Sequence, residues 1–230
     1  TAEAGITLLE IVRAVMPKGL FVPVSPGSSY VTLCGAIASD VHGKNHHLAG
    51  TFGQHVTSLN ILLGTGEVVT TSPQHHADLF HATCGGMGLT GVIMSATIQL
   101  LPIKSSLISQ KTIKADCIEE ACEVFESNSD STYSVAWIDC LSKGKSLGRS
   151  VIMLGEHSEQ GGLEIYTRQK VSVPFSTPSA LLNSLTMKAF NTAYWHKSNH
   201  NVSKTVGLMP YFYPLDVVGE WNMLYGKKGF

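Results

Sequence analysis

The 230-residue sequence has no apolar run near the roughly 18–20 residues that a membrane-crossing helix needs, and no charged-then-apolar leader opens it. No transmembrane segment is expected. Charge is scarce at 14% of residues while hydrophobic residues make up 43%, a balance that excludes a disordered chain. Lys and Arg total 16 against 17 Asp and Glu, so no net field draws the protein onto nucleic acid. The five cysteines, Cys34, Cys84, Cys117, Cys122 and Cys140, are odd in number and lack a Cys-x-x-Cys pair. That pattern argues against a disulfide framework and against a structural zinc site, and they read as reduced thiols. There is no Gly-x-Ser-x-Gly elbow and no phosphate-cradling P-loop, so hydrolase and nucleoside-triphosphatase readings rank low.

What is present is punctuated apolar sequence. Ile6, Leu8, Leu9, Val12, Val15 and Met16 recur at helical spacing and end on Lys18-Gly19, a basic last turn with a glycine stop. Residues 20–24 read as a short strand running into the turn Ser25-Pro26-Gly27-Ser28, and residues 34–40 are a run of small side chains. Residues 56–71 carry two apolar stretches around Gly64-Thr65-Gly66-Glu67, a hairpin signature. A helix over 77–83, a glycine-rich turn over 85–91 and a strand over 92–101 follow.

The texture changes after Pro102. No glycine occurs between residues 103 and 143, and the pattern reads strand, helix over 118–127, strand over 133–139. A strand at 150–154, an exposed polar stretch at 156–162, a helix at 183–194 and a strand at 208–213 complete the reading. The expected division is a first domain over residues 1–103 and a second over 104–230.

Two motifs invite chemistry. Gly86-Met87-Gly88-Leu89-Thr90-Gly91 fits the dinucleotide pattern G-x-G-x-x-G, but that fingerprint requires a strand before it and a helix after it. Here a helix precedes and a strand follows, so a nicotinamide-dehydrogenase reading is weak. His42-Gly43-Lys44-Asn45-His46-His47 places histidines at i and i+4, a metal spacing only if the segment is helical, which Gly43 and Asn45 disfavour. No metal is expected. Turn histidines bonded to backbone and a polar wall beside a bound cofactor both remain readings of this segment. His196 and His200, a second such pair, read as surface residues.

Residues 19–27, 35–47 and 50–53, the Leu79-Phe80-His81-Ala82-Thr83-Cys84-Gly85 to Gly91 stretch, Ala136-Trp137-Ile138-Asp139, and Tyr213-Pro214-Leu215-Asp216 with Gly219-Glu220-Trp221-Asn222 together resemble the vanillyl-alcohol-oxidase-type FAD-binding oxidoreductases. The similarity covers most of the chain and is weak over 155–205. It implies an α+β fold: part of a two-subdomain, PCMH-type FAD-binding fold, followed by part of an antiparallel-sheet substrate domain. On that reading residues 1–103 are the carboxyl-side part of the FAD-binding domain, residues 104–230 are a partial substrate or cap domain, and the chain is an internal fragment.

The resemblance further implies FAD as cofactor, with Pro26, Gly27, Ser28, Gly35, Ala36, Ser39, His42, Gly43, Asn45, His46, Gly88, Gly91 and Val92 beside it. Trp137 and Tyr213 are the expected substrate-pocket walls, and His42 is the candidate nearest the flavin, with no catalytic base assigned. The implied reaction is oxidation of a secondary alcohol of a sugar, a polyprenyl-phosphate-linked pentose on the way to cell-wall arabinan, with an NAD(P)H-dependent reductase as partner. A cytoplasmic or peripherally membrane-associated location follows from the same reading. An aldonolactone oxidase of the same fold and a cofactor-free binding module are the competing expectations.

Overall fold

The computed structural model describes residues 1–165, 171–172, 176–178, 182–220 and 223. In chain order the elements are β1 (Ala2–Glu3), α1 (Leu8–Val15), β2 (Leu20–Phe21), α2 (Leu33–Ala38), α3 (His46–Ala49), β3 (Val56–Leu62), β4 (Val68–Thr71), α4 (Ala77–Thr83), β5 (Val92–Ile98) and β6 (Leu101–Pro102). There follow β7 (Leu107–Ala115), α5 (Ile118–Ser127), β8 (Tyr133–Ile138), β9 (Ser150–His157), β10 (Val171–Ser172), α6 (Ser184–Lys197), β11 (Val202–Gly207), α7 (Leu208–Phe212) and β12 (Val218–Gly219). The chain forms two compact units. The first comprises residues 1–107, 157–166 and 208–214, and the second residues 108–156, 167–207 and 215–230.

The first unit is built on the sheet β1-β5-β3-β4. Its helix α1 starts where Thr7 caps the Glu10 N–H and Glu10 returns a bond to Thr7, a capping box that fixes the entry of the chain. Leu8, Ile11 and Val12 form its buried stripe. Gly19, at φ 73, closes the turn after it in the left-handed region that glycine enters without strain. The expected hairpin is present, β3 pairing antiparallel with β4 from Leu59–Thr71 to Leu62–Val68 across the Gly64-Thr65-Gly66 turn. β5 pairs antiparallel with the other edge of β3.

Three strand expectations change. Only Leu20–Phe21 of the 20–24 stretch is strand, paired with Leu101–Pro102, because Pro23 has no N–H to continue the ladder. The 92–101 strand breaks after Ile98, and its end becomes β6. Residues 208–212 form helix α7 where a strand was expected. A short run of apolar residues does not distinguish the two states by periodicity, and Pro210 suits the first turn of a helix, whose N–H groups are unbonded in any case. Leu208, Met209, Tyr211 and Phe212 are all buried, without the alternation of a half-exposed strand.

In the second unit the sheet order is β11-β7-β9-β8, with β8 antiparallel to β9 from Tyr133–Gly155 to Ile138–Ser150. One face packs on α5 through Ala115, Ile152 and Leu154 against Ala121, with Ile113, Val124, Phe125 and Ala136 around them. The helix over 118–127 and the strand over 133–138 stand where their periodicity put them. Helices and largely antiparallel sheets give the chain an α+β composition.

Candidate functional site

The first unit brings four separate segments of sequence together. The buried stretch Val22–Ser25 leads into the Pro26-Gly27-Ser28 turn, and the histidine-rich segment lies directly on it: Asn45 donates from Nδ2 to the Pro23 carbonyl at 2.9 Å. A Cβ on Gly43 would stand 2.8 Å from the Ser25 carbonyl oxygen, so only glycine permits this approach. Helix α2, capped by the Thr32 hydroxyl on the Gly35 N–H, carries Gly35 and Ala36 and ends at Ser39. Asp40 then turns the chain at φ 41, and its carboxylate accepts the Gly53 N–H at 2.7 Å. The Gly85 and Met87 N–H groups donate to the Ile37 and Ala38 carbonyls at 3.0 and 2.9 Å. The glycine-rich turn is thus tied to the end of α2.

That turn connects helix α4 to strand β5, the reverse of the order a dinucleotide-binding G-x-G-x-x-G requires. Gly91, at φ 152, lets the chain pass the Leu62 carbonyl, which a Cβ would meet at 2.6 Å.

Of the expected cofactor residues, Gly27, Ser39, His42, His46, Gly88 and Val92 are exposed, Pro26, Ser28, Gly35, Gly43 and Gly91 are partly covered, and Ala36 and Asn45 are buried. His42 and His46 meet edge to face with ring centroids 5.2 Å apart, His42 bridging to Thr51 and His46 opening the short helix α3. Met87, Leu89 and Val92 stand 70%, 91% and 61% exposed, and a Cβ on Gly27 or Gly88 would meet nothing within 4 Å. Open glycine backbone next to bare apolar side chains suits a group with both hydrogen-bonding edges and a flat apolar ring. The residues present therefore fit an FAD.

Behind this surface lies a feature not singled out from the sequence. Lys44 donates to the Phe212 carbonyl at 3.3 Å, with its ammonium 5.7 and 5.9 Å from the Tyr211 and Phe212 ring centres. Burial pushes its pKa down to about 8. Next to it Tyr213, 1% exposed, shares a 2.6 Å hydrogen bond between its hydroxyl and the Ser25 hydroxyl. The only hint in the sequence was a lysine set among glycine, asparagine and histidines. Cys84 lies beside Asp40, and burial, reinforced by that carboxylate, raises its thiol to about 11, so it stays protonated and unreactive near neutrality.

Trp137 stands in the second unit, its ring 4.7 Å from that of Tyr194. Asp139 follows it and is fully enclosed by partners: Arg149, Ser142, Asn191 and the Leu141 N–H all donate to its carboxylate. His200 lies beyond the end of α6, so it does not share a helix face with His196, and it accepts the Lys114 N–H at 3.1 Å. Among the described residues no three His, Cys, Asp or Glu side chains converge as a metal site would need, and no helix is long and apolar enough to cross a membrane. Trp221 and Asn222 lie outside the described residues.

Sequence comparison bears on this arrangement. Residues 1–72 match a family described as an FAD binding domain. The chain is 37% identical over 240 aligned residues to a decaprenylphosphoryl-beta-D-ribose oxidase of Mycolicibacterium smegmatis, an alignment covering 99% of this chain and 52% of that protein. It is 34% identical over 189 residues to an uncharacterized protein of Streptomyces coelicolor, covering 79% of this chain and 51% of the other. A D-arabinono-1,4-lactone oxidase of Yarrowia lipolytica is 31% identical over 102 residues, 44% of this chain and 19% of the relative. The chain thus spans about half the length of the first two relatives. FAD is the cofactor that the matched domain and the fitted surface share, and residues 1–72 of the chain belong to the FAD binding domain family.

Proposed function

We propose that the protein oxidises a secondary alcohol of a sugar with FAD as the acceptor, the sugar being a pentose linked to a polyprenyl phosphate and the product its 2′-keto form. The observation that carries this reading is the breadth of the similarity to the decaprenylphosphoryl-beta-D-ribose oxidase, which runs through both compact units. The first unit is the part that holds FAD, and the second, with Trp137, is the substrate side.

FAD, when bound, supplies the hydride acceptor for the carbinol carbon; the protein's task is to bind and orient. Gly27 and Ser28 offer close backbone approach for its phosphates, in the manner of an anion-binding nest, while the N–H groups of Gly35 and Ala36 are bonded to Thr32 and hold helix α2 together. His42, Gly43, Asn45 and His46 line its polar edge. Met87, Leu89 and Val92, with Gly88 and Gly91, offer an apolar floor that excludes water. Asp40 holds these segments in register by gathering α2, Gly53 and the 84–87 turn. The oxidised sugar is passed on to an NAD(P)H-dependent reductase, and the enzyme works in the cytoplasm or at a membrane surface.

The similarity to a D-arabinono-1,4-lactone oxidase supports a second reading, an oxidase of a small soluble lactone. It covers less of the chain. The test is the visible flavin spectrum of the purified protein under anaerobic conditions, with a polyprenyl-phosphate-linked pentose in one cuvette and D-arabinono-1,4-lactone in another. Bleaching by the lipid-linked pentose alone supports the first reading, and bleaching by the lactone alone replaces it with the second. A colourless protein that takes up no FAD removes both.

A further inference from the structure

The second unit carries its charge in two opposed sets. Helix α5, packed on one face of the sheet through Ala121, carries Glu119, Glu120, Glu123 and Glu126 and no cation. Side chains alternate along β8, so Trp137 points away from the face on which Ala136 meets α5. Helix α6 lies on that other face, where Tyr194 meets Trp137, and carries Lys188 and Lys197 and no carboxylate. The surrounding sequence continues the pattern, since residues 140–155 and 165–215 contain no Asp or Glu. Lys143 and Lys188 stand together on a cleft of about 260 Å³ between the β8–β9 loop and α6, and neither is in an ion pair among the described residues. The carboxylate in that cleft, Asp139, is already taken up by Arg149.

Of the 14 residues of α6 only Asn191 and Trp195 are buried, and these two fix it to the sheet. Asn191 donates to the Asp139 carboxylate at 2.6 Å, and the Trp195 ring has the Lys114 ammonium 4.1 Å and the Arg149 guanidinium 5.4 Å from its centre. The outer side of the helix is bare. Leu185, Phe190 and Met187 stand 76%, 56% and 38% exposed. Leu185 and Lys188, three positions apart, are neighbours on the helix surface, so the apolar group is bordered directly by a cation. Phe190 runs on into Tyr194 and Trp137 by ring contacts at 6.3 and 4.7 Å, and tyrosine and tryptophan suit a boundary that is apolar on one side and wet on the other. Exposed apolar side chains rimmed by polar ones mark a surface that meets a partner.

We infer that this face of the second unit docks on a bilayer containing anionic phospholipid, with Leu185, Met187 and Phe190 entering the acyl boundary and Lys143 and Lys188 meeting the lipid phosphates. A helix with bare apolar side chains and flanking lysines lies in the plane of a membrane interface. Lysine, a point charge on a flexible stem, can follow a mobile headgroup. The glutamates of α5 set the orientation, because an anionic surface repels their face of the sheet while it attracts that of α6. Side chains that project from a convex helix suit a fluid layer that they can enter, which favours lipid over an acidic protein. The docking surface lies wholly in the second unit and holds for either substrate reading.

The experiment is co-sedimentation of the purified protein with vesicles of phosphatidylcholine alone and of phosphatidylcholine mixed equally with phosphatidylglycerol. Binding to the mixed vesicles, weakened by added salt and absent with phosphatidylcholine alone, is expected. Leu185→Ser/Phe190→Ser and Lys143→Gln/Lys188→Gln should each lower the partition onto mixed vesicles by about tenfold or more. Glu123→Gln/Glu126→Gln on α5 should leave it within about twofold. All six side chains are exposed, so melting temperature and flavin content are expected to stay unchanged in every variant. Equal binding to both vesicle types, or binding that survives the substitutions on α6 and its neighbouring loop, overturns the inference. Protein that stays in the supernatant with both vesicles also overturns it and leaves the surface to an acidic protein. The flavin spectrum of the same sample tests the oxidase reading separately.

Discussion

The Asp40 carboxylate accepts the backbone N–H of Gly53 at 2.7 Å while Asp40 itself sits in the left-handed region at φ 41. Asp and Asn tolerate that conformation better than other side chains, and both offer an oxygen to the N–H. Asp40→Asn is therefore expected to keep most of the stability. Asp40→Ala loses the bond, leaves the Gly53 N–H without its partner and retains the strained backbone, a cost of about 2–4 kcal/mol. Thermal unfolding of the two variants checks this; equal melting temperatures would remove Asp40 as the organiser of these segments.

Gly43 and Gly27 make a paired test. A Cβ on Gly43 meets the Ser25 backbone at 2.8 and 3.0 Å, whereas one on Gly27 meets nothing within 4 Å. Gly43→Ala should destabilise by about 1–3 kcal/mol and loosen the Ser25–Tyr213 contact, since backbone yields less readily than a side chain end. Gly27→Ala should leave the melting temperature nearly unchanged. If the turn meets FAD as proposed, Gly27→Ala nonetheless weakens FAD retention, read as flavin lost on gel filtration.

Lys44 gives a pH signature of defined sign. Its pKa is about 8 in the folded protein and about 10.4 in an unfolded chain, so between those values the unfolded state holds a proton that the folded state does not. Stability contributed through this group rises with pH across that window and is at its lowest below pH 8. Lys44→Met should flatten the rise and stabilise the protein near neutrality by on the order of 1–3 kcal/mol. Denaturant unfolding at pH 7 and pH 10 measures both effects.

Asp139 shows the same sign in the acid range. Burial alone would raise its carboxyl, but the bonds from Ser142, Leu141, Asn191 and Arg149 outweigh it and hold the pKa at about 2. The stabilisation is present above about pH 4 and is lost as pH falls toward 2. Asp139→Asn leaves the Arg149 guanidinium, 15% exposed, without its counterion and should cost about 3–5 kcal/mol. Acid unfolding monitored by tryptophan fluorescence should lose its steep dependence between pH 4 and pH 2 in the variant.

Local structure was legible where one rule dominated. α1 had its apolar spacing and glycine stop, the 56–71 hairpin its turn glycines, and α5 its periodicity. α7 was misread because the apolar run 208–213 fits either state, and what decided it was burial from all sides. The glycine motif was correctly set apart from dinucleotide binding by the order of its flanking elements. Lys44 and the Asp40–Gly53 bond were not legible, since the burial of a lysine and the partner of a carboxylate are set by tertiary neighbours. Likewise, nothing near Ser25 announced that its hydroxyl would meet Tyr213, 188 positions along the chain.

That last pairing bears on the order in which the protein takes shape during synthesis. Phe212 packs on Phe21 with ring centres 5.1 Å apart, and Tyr211, Phe212 and Tyr213 are interior residues of the first unit. The ribosome must therefore deliver residues 208–214 before the first unit can close around β2. Long-range closure of this kind slows folding and leaves the partly made unit exposed to association with other nascent chains. A chain released near residue 107 would display the Phe21 face to solvent, which makes chaperone dependence, rather than catalysis, the first property expected to suffer on truncation.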